Sequence, residues 1–186
     1  MLNHRGTITI NTDRLILRKF SIADVEDMFY NWANDEEVAK YLSWSPHGTI
    51  EVTKEVIFEW ICAYEMSTVY NWAIELKSTE RVIGSICVIE VSDKNCRCEV
   101  GYCISRAYWN KGIMTESLKA VNVFLFSEVG INRIQAKHDT KNIASGKVME
   151  KAGMKYEGTL KQYKIHKDGT FGDLNMYAIV KEDMAK

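Results

Sequence analysis

The stretch YWNKGIMTES, Tyr108–Ser117, joins a run that alternates like a strand to a run with helical periodicity. A helix that starts there leaves the N–H groups of its first turn unpaired, and their partial positive charge attracts anions. Gly112 has no Cβ and lets backbone approach a ligand closely. Lys111 adds one cation. The amides of Asn110, Lys111, Gly112, Ile113, Met114 and Thr115 therefore form a candidate site for a phosphate or diphosphate. Neither G-x-x-x-x-G-K-[ST] nor G-x-G-x-x-G occurs; Ser145-Gly146-Lys147 lacks both the upstream glycine and the following hydroxyl. A glycine and a lysine near a helix start are common, so the junction gains meaning only from its surroundings.

Those surroundings read as an ordered series of elements. Thr12–Phe20 alternates like a strand, and Ser21 with Asp24 forms a capping box ahead of an amphipathic helix to about Asn34. Thr49 can cap a second helix that buries Val56, Ile57, Trp60, Ile61 and Tyr64. Residues 71–76, 82–91 and 96–104 read as an antiparallel meander. A helix from Gly112 to Val129, a strand over 133–138 and a helix over 142–152 follow, with Asn142 as N-cap and Gly153 at the stop. The last strands, 156–166 and 171–180, flank an Asp-Gly hairpin. The series predicts an α/β (α+β) fold in one domain over residues 1–186. Its core is a single mixed, mostly antiparallel seven-stranded sheet with helices on both faces.

Composition excludes several classes. The formal net charge is −1 over 186 residues, without the basic excess that nucleic-acid binding needs. The longest apolar run, AVNVFLF, is too short to span a bilayer, and the N-terminus lacks a signal-peptide core. No nucleic-acid partner, no membrane and a cytoplasmic location are the expectations. Five irregularly spaced cysteines do not make a disulfide framework. Cys96-x-Cys98 has no second pair to complete a metal site, so no metal is expected. The four histidines are scattered and read as ordinary surface or core residues.

Four segments in order resemble the GNAT superfamily of acetyl-CoA-dependent N-acetyltransferases, and within it the Rim-type branch that acetylates ribosomal-protein N-termini. They are TDRLILR (12–18), EVGYCISRAYWNKGIMTE (99–116), NRIQAKHDTKNIASGKVMEKAGM (132–154) and EGTLKQY (157–163). The superfamily's loop usually reads Q/R-x-x-G-x-G/A. Here it is Trp109-Asn110-Lys111-Gly112-Ile113-Met114, with Trp first, as often in that branch, and Met in place of a small residue. The resemblance implies acetyl-CoA as cosubstrate, its diphosphate on the 110–115 amides. It implies a pantetheine arm beside the strand Glu99–Ile104, paired to main chain near Cys103, Ile104 and Ser105, with Asn142 also in contact.

The implied chemistry is direct attack of an amine on a thioester. An aliphatic amine is mostly protonated at neutral pH, so a base must take a proton, and Glu99 is the candidate. Its competing reading is a solvated carboxylate on a half-exposed strand. Many members place an acidic Tyr seven residues after the helix Asn; here that position is Met149, and the branch's Ser at Ser145 is the substitute donor. Cys103 has no accompanying triad and is not expected to act as a nucleophile. Trp32, Trp44, His47 and Tyr163 are the candidate acceptor contacts, with Tyr41 and Tyr177 nearby; each can equally be a packing residue. The acceptor is a protein N-terminus or a small amine, and members of this branch are often homodimers. The competing function is a non-catalytic acetyl-CoA-binding sensor or scaffold.

Overall fold

The structure is a computed structural model that describes residues 2–185. Its strands are β1 (Ile10–Asn11), β2 (Leu15–Arg18), β3 (Asn71–Leu76), β4 (Arg81–Ser92), β5 (Arg97–Ile104), β6 (Arg133–Asp139), β7 (Lys155–Ile165) and β8 (Phe171–Val180). They form one sheet in the order β1-β2-β3-β4-β5-β6-β8-β7. Eight strands replace the expected seven. The extra one is the two-residue β1, which Ile10 and Asn11 form by turning back onto Leu17 and Ile16, too short to carry a period in sequence.

The helices are α1 (Val25–Met28), α2 (Glu36–Ala39), α3 (Ile50–Ala63), α4 (Ile113–Phe124) and α5 (Ile143–Lys151). A 3-10 turn at Ile22–Asp24 leads into α1, and π-type turns extend α1 to Ala33 and α4 to Val129. Asp24 accepts from the Ser21 N–H at 2.7 Å, as the capping box requires. Thr49 precedes α3 but makes no side-chain cap bond. Asn142 does cap α5, accepting from the Ser145 N–H at 3.3 Å.

Strand alternation sends side chains to two cores. Cys98, Val100, Tyr102, Ile134 and Ala136 face α4 and α5, with Leu118, Val121, Leu125 and Met149. Ala73, Val82 and Cys103 face α1 and α3, with Phe20, Met28, Trp32 and Ile57. β5 and β6 thus separate two chemically distinct sides.

Candidate active site

β5 and β6 are a parallel pair in a sheet otherwise antiparallel, and their register lasts three residues: Arg97–Arg133, Cys98–Ile134 and Glu99–Gln135. β5 then continues to Ile104 against β4 alone, while β6 continues to Asp139 against β8 alone. The sheet is split from Val100 onward. The Ser105 N–H donates to the Ile83 C=O at 2.8 Å, and the same alternation pairs Cys103 with Ser85 and Gly101 with Cys87. The Val100 N–H closes the last β6 pair on the Gln135 C=O, so the main-chain groups turned into the split are the Val100 C=O and those of Tyr102 and Ile104. Those of Cys103 and Ser105 are turned toward β4. The Ile104 C=O is partly used, since it accepts from Trp109 Nε1 at 3.0 Å. An unpaired strand edge inside a sheet wants a partner, and an extended chain with amide groups supplies one.

The chain leaves β5 through a 3-10 turn, Arg106–Tyr108, and enters α4 at a left-handed Gly112, φ 73°. Asn110 is left-handed too, φ 59°. The Gly112 C=O accepts from the Glu116 N–H, so the amides of Ile113, Met114 and Thr115 have no helical partner. The Ile113 and Met114 side chains are buried in the core. Met114 does not crowd the loop's outer side. Lys111 lies over the Tyr108 ring, 5.2 Å from its centroid.

A clamp that sequence reading missed holds this loop. Arg14 Nη1 donates to the Lys111 C=O at 3.0 Å, and its Nε donates to Glu116 Oε2 at 2.7 Å. Thr12 donates to the other Glu116 oxygen at 2.6 Å. Burial pushes the Glu116 pKa up, but the bonds from Thr12 and Arg14 outweigh it and the net shift is downward. The available signal was the segment TDR itself, whose polar residues precede a strand and need partners.

Glu99 is the last residue before the split, and it is 7 % exposed. Its Oε2 accepts from Gln135 Nε2 at 3.1 Å and pairs with Lys137 Nζ at 2.9 Å. Among the described residues no partner lies on Oε1. Burial would lower the Lys137 pKa, but its bonds to Glu99 and Tyr163 dominate and raise it, so Lys137 stays charged. Opposite Glu99 and Val100, β4 carries a bulge at Ile89. The Ile89 side chain lies across Gly101, where a Cβ would come within 2.5 Å of it. Bulges commonly re-aim side chains beside a site.

The other side of the split belongs to α5. Tyr102 reaches across from β5, and its Oη lies 3.0 Å from both the C=O and the Oγ of Ser145. Burial pushes the Tyr102 pKa up, with the Ser145 bond opposing, so the phenol stays neutral. Met149, one turn on, is in the core. His138 on β6 donates from Nδ1 to the Asp139 C=O at 2.7 Å. Its buried Nε2 has no partner among the described residues and rests on Gly146, where a Cβ would intrude to 2.7 Å.

The chain matches the acetyltransferase (GNAT) domain over residues 14–155. The chain belongs to the GNAT acetyltransferase family. It is 36 % identical over 172 residues to the uncharacterized N-acetyltransferase YoaA of Bacillus subtilis, covering 92 % of this chain and 96 % of that protein. The crystal structure of a GNAT-family acetyltransferase from Bacillus anthracis superposes with a TM-score of 0.82 at 28 % identity, over 94 % of this chain and 99 % of that one. RimL, a ribosomal L7/L12 alpha-N-protein acetyltransferase solved with coenzyme A, shares the fold: TM-score 0.82, 22 % identity, 93 % and 98 % coverage. This GNAT protein is therefore an acyltransferase that uses acetyl-CoA. The split strand edge and the free amides of α4 fit an extended amide arm ending in a diphosphate.

The acceptor side of the GNAT domain differs from the sequence expectation. Trp32 has no exposed surface and packs in the α1–α3 core, so it cannot touch an acceptor as the chain is folded. Tyr177 is also buried, on the α5 side, donating to Glu150 Oε1 at 3.0 Å. Trp44 and His47 are half-buried with centroids 5.6 Å apart, and the His47 Nδ1 meets Thr53 Oγ1 at 2.8 Å. Burial lowers the His47 pKa. Tyr163 on β7 is exposed; the Lys137 ammonium sits 4.7 Å from its ring centroid. Lys164 and Lys167 of the terminal hairpin donate to the C=O groups of Tyr41 and Ala39 at 3.2 and 3.0 Å. That hairpin and the loop before α3 thus meet above Glu99's side of the sheet. Among the described residues no cluster of His, Cys, Asp or Glu can hold a metal. No described helix is long and apolar enough to cross a membrane.

Proposed function

We propose that this enzyme acetylates a primary amine by direct attack on the thioester, with Glu99 as base. The observation that carries the reading is the opening of the sheet at Glu99. One carboxylate, with one oxygen anchored and the other free, stands where β5 turns from strand-paired to ligand-ready. The free amides of Ile113, Met114 and Thr115 receive the diphosphate at the far end of the same strand. The Val100 C=O, the Tyr102 C=O and the Ile104 N–H pair with the pantetheine arm. The N–H of Tyr102, the first one free past the last β6 pair, is aimed to stabilise the thioester oxygen as negative charge develops, an interaction worth a few kcal/mol.

Lys137 and Gln135 hold Oε2, so Glu99 is fixed in one orientation and receives the amine proton on Oε1, directly or through water. Ser145, on the α5 side, donates a hydrogen bond to the departing sulfur in place of the phenol that Met149 does not supply. The acceptor enters between the hairpin and the loop before α3, past Tyr163, Trp44 and Ile89. RimL's action on a protein N-terminus supports a peptide N-terminal amine as acceptor class; a small amine fits the same approach. Thiol release from acetyl-CoA, followed with hexapeptides beginning in Ala, Ser or Met and with spermidine, tests the reading. Stimulation by one acceptor class is expected. Tight acetyl-CoA binding without stimulation by any amine would overturn it.

A further inference from the structure

Tyr102 crosses the split on the α5 side and reaches the residue assigned to the leaving sulfur. Three facts define its geometry. It follows Glu99 by three residues on β5, where β6 no longer pairs. Its Oη meets the Ser145 C=O and Oγ, each at 3.0 Å. Its burial keeps the phenol protonated, so it has one proton to give. A carbonyl has none. When Tyr102 donates to the Ser145 C=O, the short contact between the two hydroxyls must be donated by Ser145. The Ser145 proton is then held away from the substrate. When Tyr102 instead donates to Ser145 Oγ, the Ser145 proton is released and points elsewhere. The two arrangements differ only by rotation of two hydroxyl hydrogens. No heavy atom moves.

We propose that Tyr102 is the positioning residue for Ser145, holding its hydroxyl parked on the phenol at rest and polarising it toward the sulfur as the thioester breaks. The proposal rests on the assignment of Ser145 to the departing sulfur. In the step itself the C–N bond forms and the C–S bond breaks, with its electron pair going to sulfur. The amine proton leaves through Glu99 to solvent. Ser145 and Tyr102 keep their protons and supply a two-link chain of hydrogen bonds, in which each link strengthens the next. The thiolate takes its proton from water on release. Such an arrangement compensates for Met149: the phenol absent from α5 acts from β5, one hydroxyl further back.

The test is a double-mutant cycle of Tyr102→Phe and Ser145→Ala. It is read as thiol release from acetyl-CoA with the fastest amine of the panel above, and also with water as acceptor. The ring of Tyr102→Phe preserves the packing. Its kcat is expected to fall about tenfold, the effect of one hydrogen bond, with the acetyl-CoA KM and the melting temperature little changed. Adding Tyr102→Phe to Ser145→Ala is expected to cost no further kcat, because the phenol acts through that hydroxyl. Additive losses would overturn the proposal, as would a Tyr102→Phe variant with lowered melting temperature and normal kcat. If Ser145→Ala is slow while Tyr102→Phe is normal, only this inference fails. If Ser145→Ala is fully active, the assignment of Ser145 fails and takes the inference with it.

Discussion

The two sides of the split are built from different materials. The proposed cofactor side is main chain: the edge of β5 past Glu99 and the amides of the first turn of α4. Its side chains act from behind, Arg14 and Glu116 clamping the loop while Ile113 and Met114 anchor it in the core. The proposed acceptor side is side chain: Glu99, Gln135, Lys137 and Tyr163 in one hydrogen-bonded row, with lysines of the hairpin gripping the loop above. Main chain cannot be substituted, so the cofactor side tolerates sequence change provided the backbone keeps its left-handed turns. The acceptor side can change partner with a single residue. One chemistry with many acceptors is the expected outcome of that division.

The largest effect that sharpens this contrast concerns Trp32. Being fully enclosed, it belongs to the scaffold of the acceptor side and not to its surface. Trp32→Ala should cost about 3–5 kcal/mol of stability by leaving a cavity. Chemical denaturation should show the loss; a change confined to the acceptor KM, with stability intact, would return Trp32 to the site.

Next is the base. Glu99→Gln keeps the shape and the Gln135 contact but removes the charge. Turnover near neutral pH should fall about a hundredfold, with acetyl-CoA affinity nearly unchanged. Recovery of the rate at alkaline pH, where the amine deprotonates unaided, would support the assignment; a normal rate across the whole pH range would reassign Glu99 to the Lys137 pair alone.

The cofactor side breaks differently. Gly112→Asp sets a carboxylate against the diphosphate and a Cβ at a φ of 73°. Acetyl-CoA binding should weaken about tenfold or more by the repulsion of like charges, measured by calorimetry. An unchanged affinity would remove this loop from the cofactor site.

The smallest effect is acid sensitivity of the loop clamp. The folded-state pKa of Glu116 lies below its ordinary value of 4.5. Its contribution is therefore fully present above pH 4.5 and is lost as the pH falls through the lowered value. Wild type should exceed Glu116→Gln in melting temperature at neutral pH, and the gap should close on acidification below 4.5. A gap independent of pH would mean that the clamp works by shape alone.

Most of the fold was legible because most elements announce themselves locally. The capping box at Ser21, the Asn142 cap, the Asp-Gly hairpin and the glycine stop at Gly153 all appear where their spacing places them. The brief β1 and α2 were not legible, since two and four residues carry no period. The residues of the proposed site were legible in part. Glu99 and the 110–115 loop stand at the mouth and end of the split, and Ser145 stands beside it. Trp32 was read for the site because an aromatic on an amphipathic helix looks alike whether it faces a core or a ligand. Tyr102, Arg14, Lys137 and His138 were passed over because each acts only through a partner far along the chain.

From sequence alone come the order of the longer elements, the helix start at Gly112, the family and its cosubstrate. These rest on local periodicity, backbone permission at glycine, and contiguous motifs. Only the tertiary structure decided that β5 and β6 part after Glu99, and which main-chain groups then face the gap. It also decided that Arg14 meets Glu116 across 102 residues and that Tyr102 meets Ser145 across 43. The reason is physical: strand register and the face a side chain takes are set by packing of the whole sheet between its helices, and no local stretch of chain contains that information.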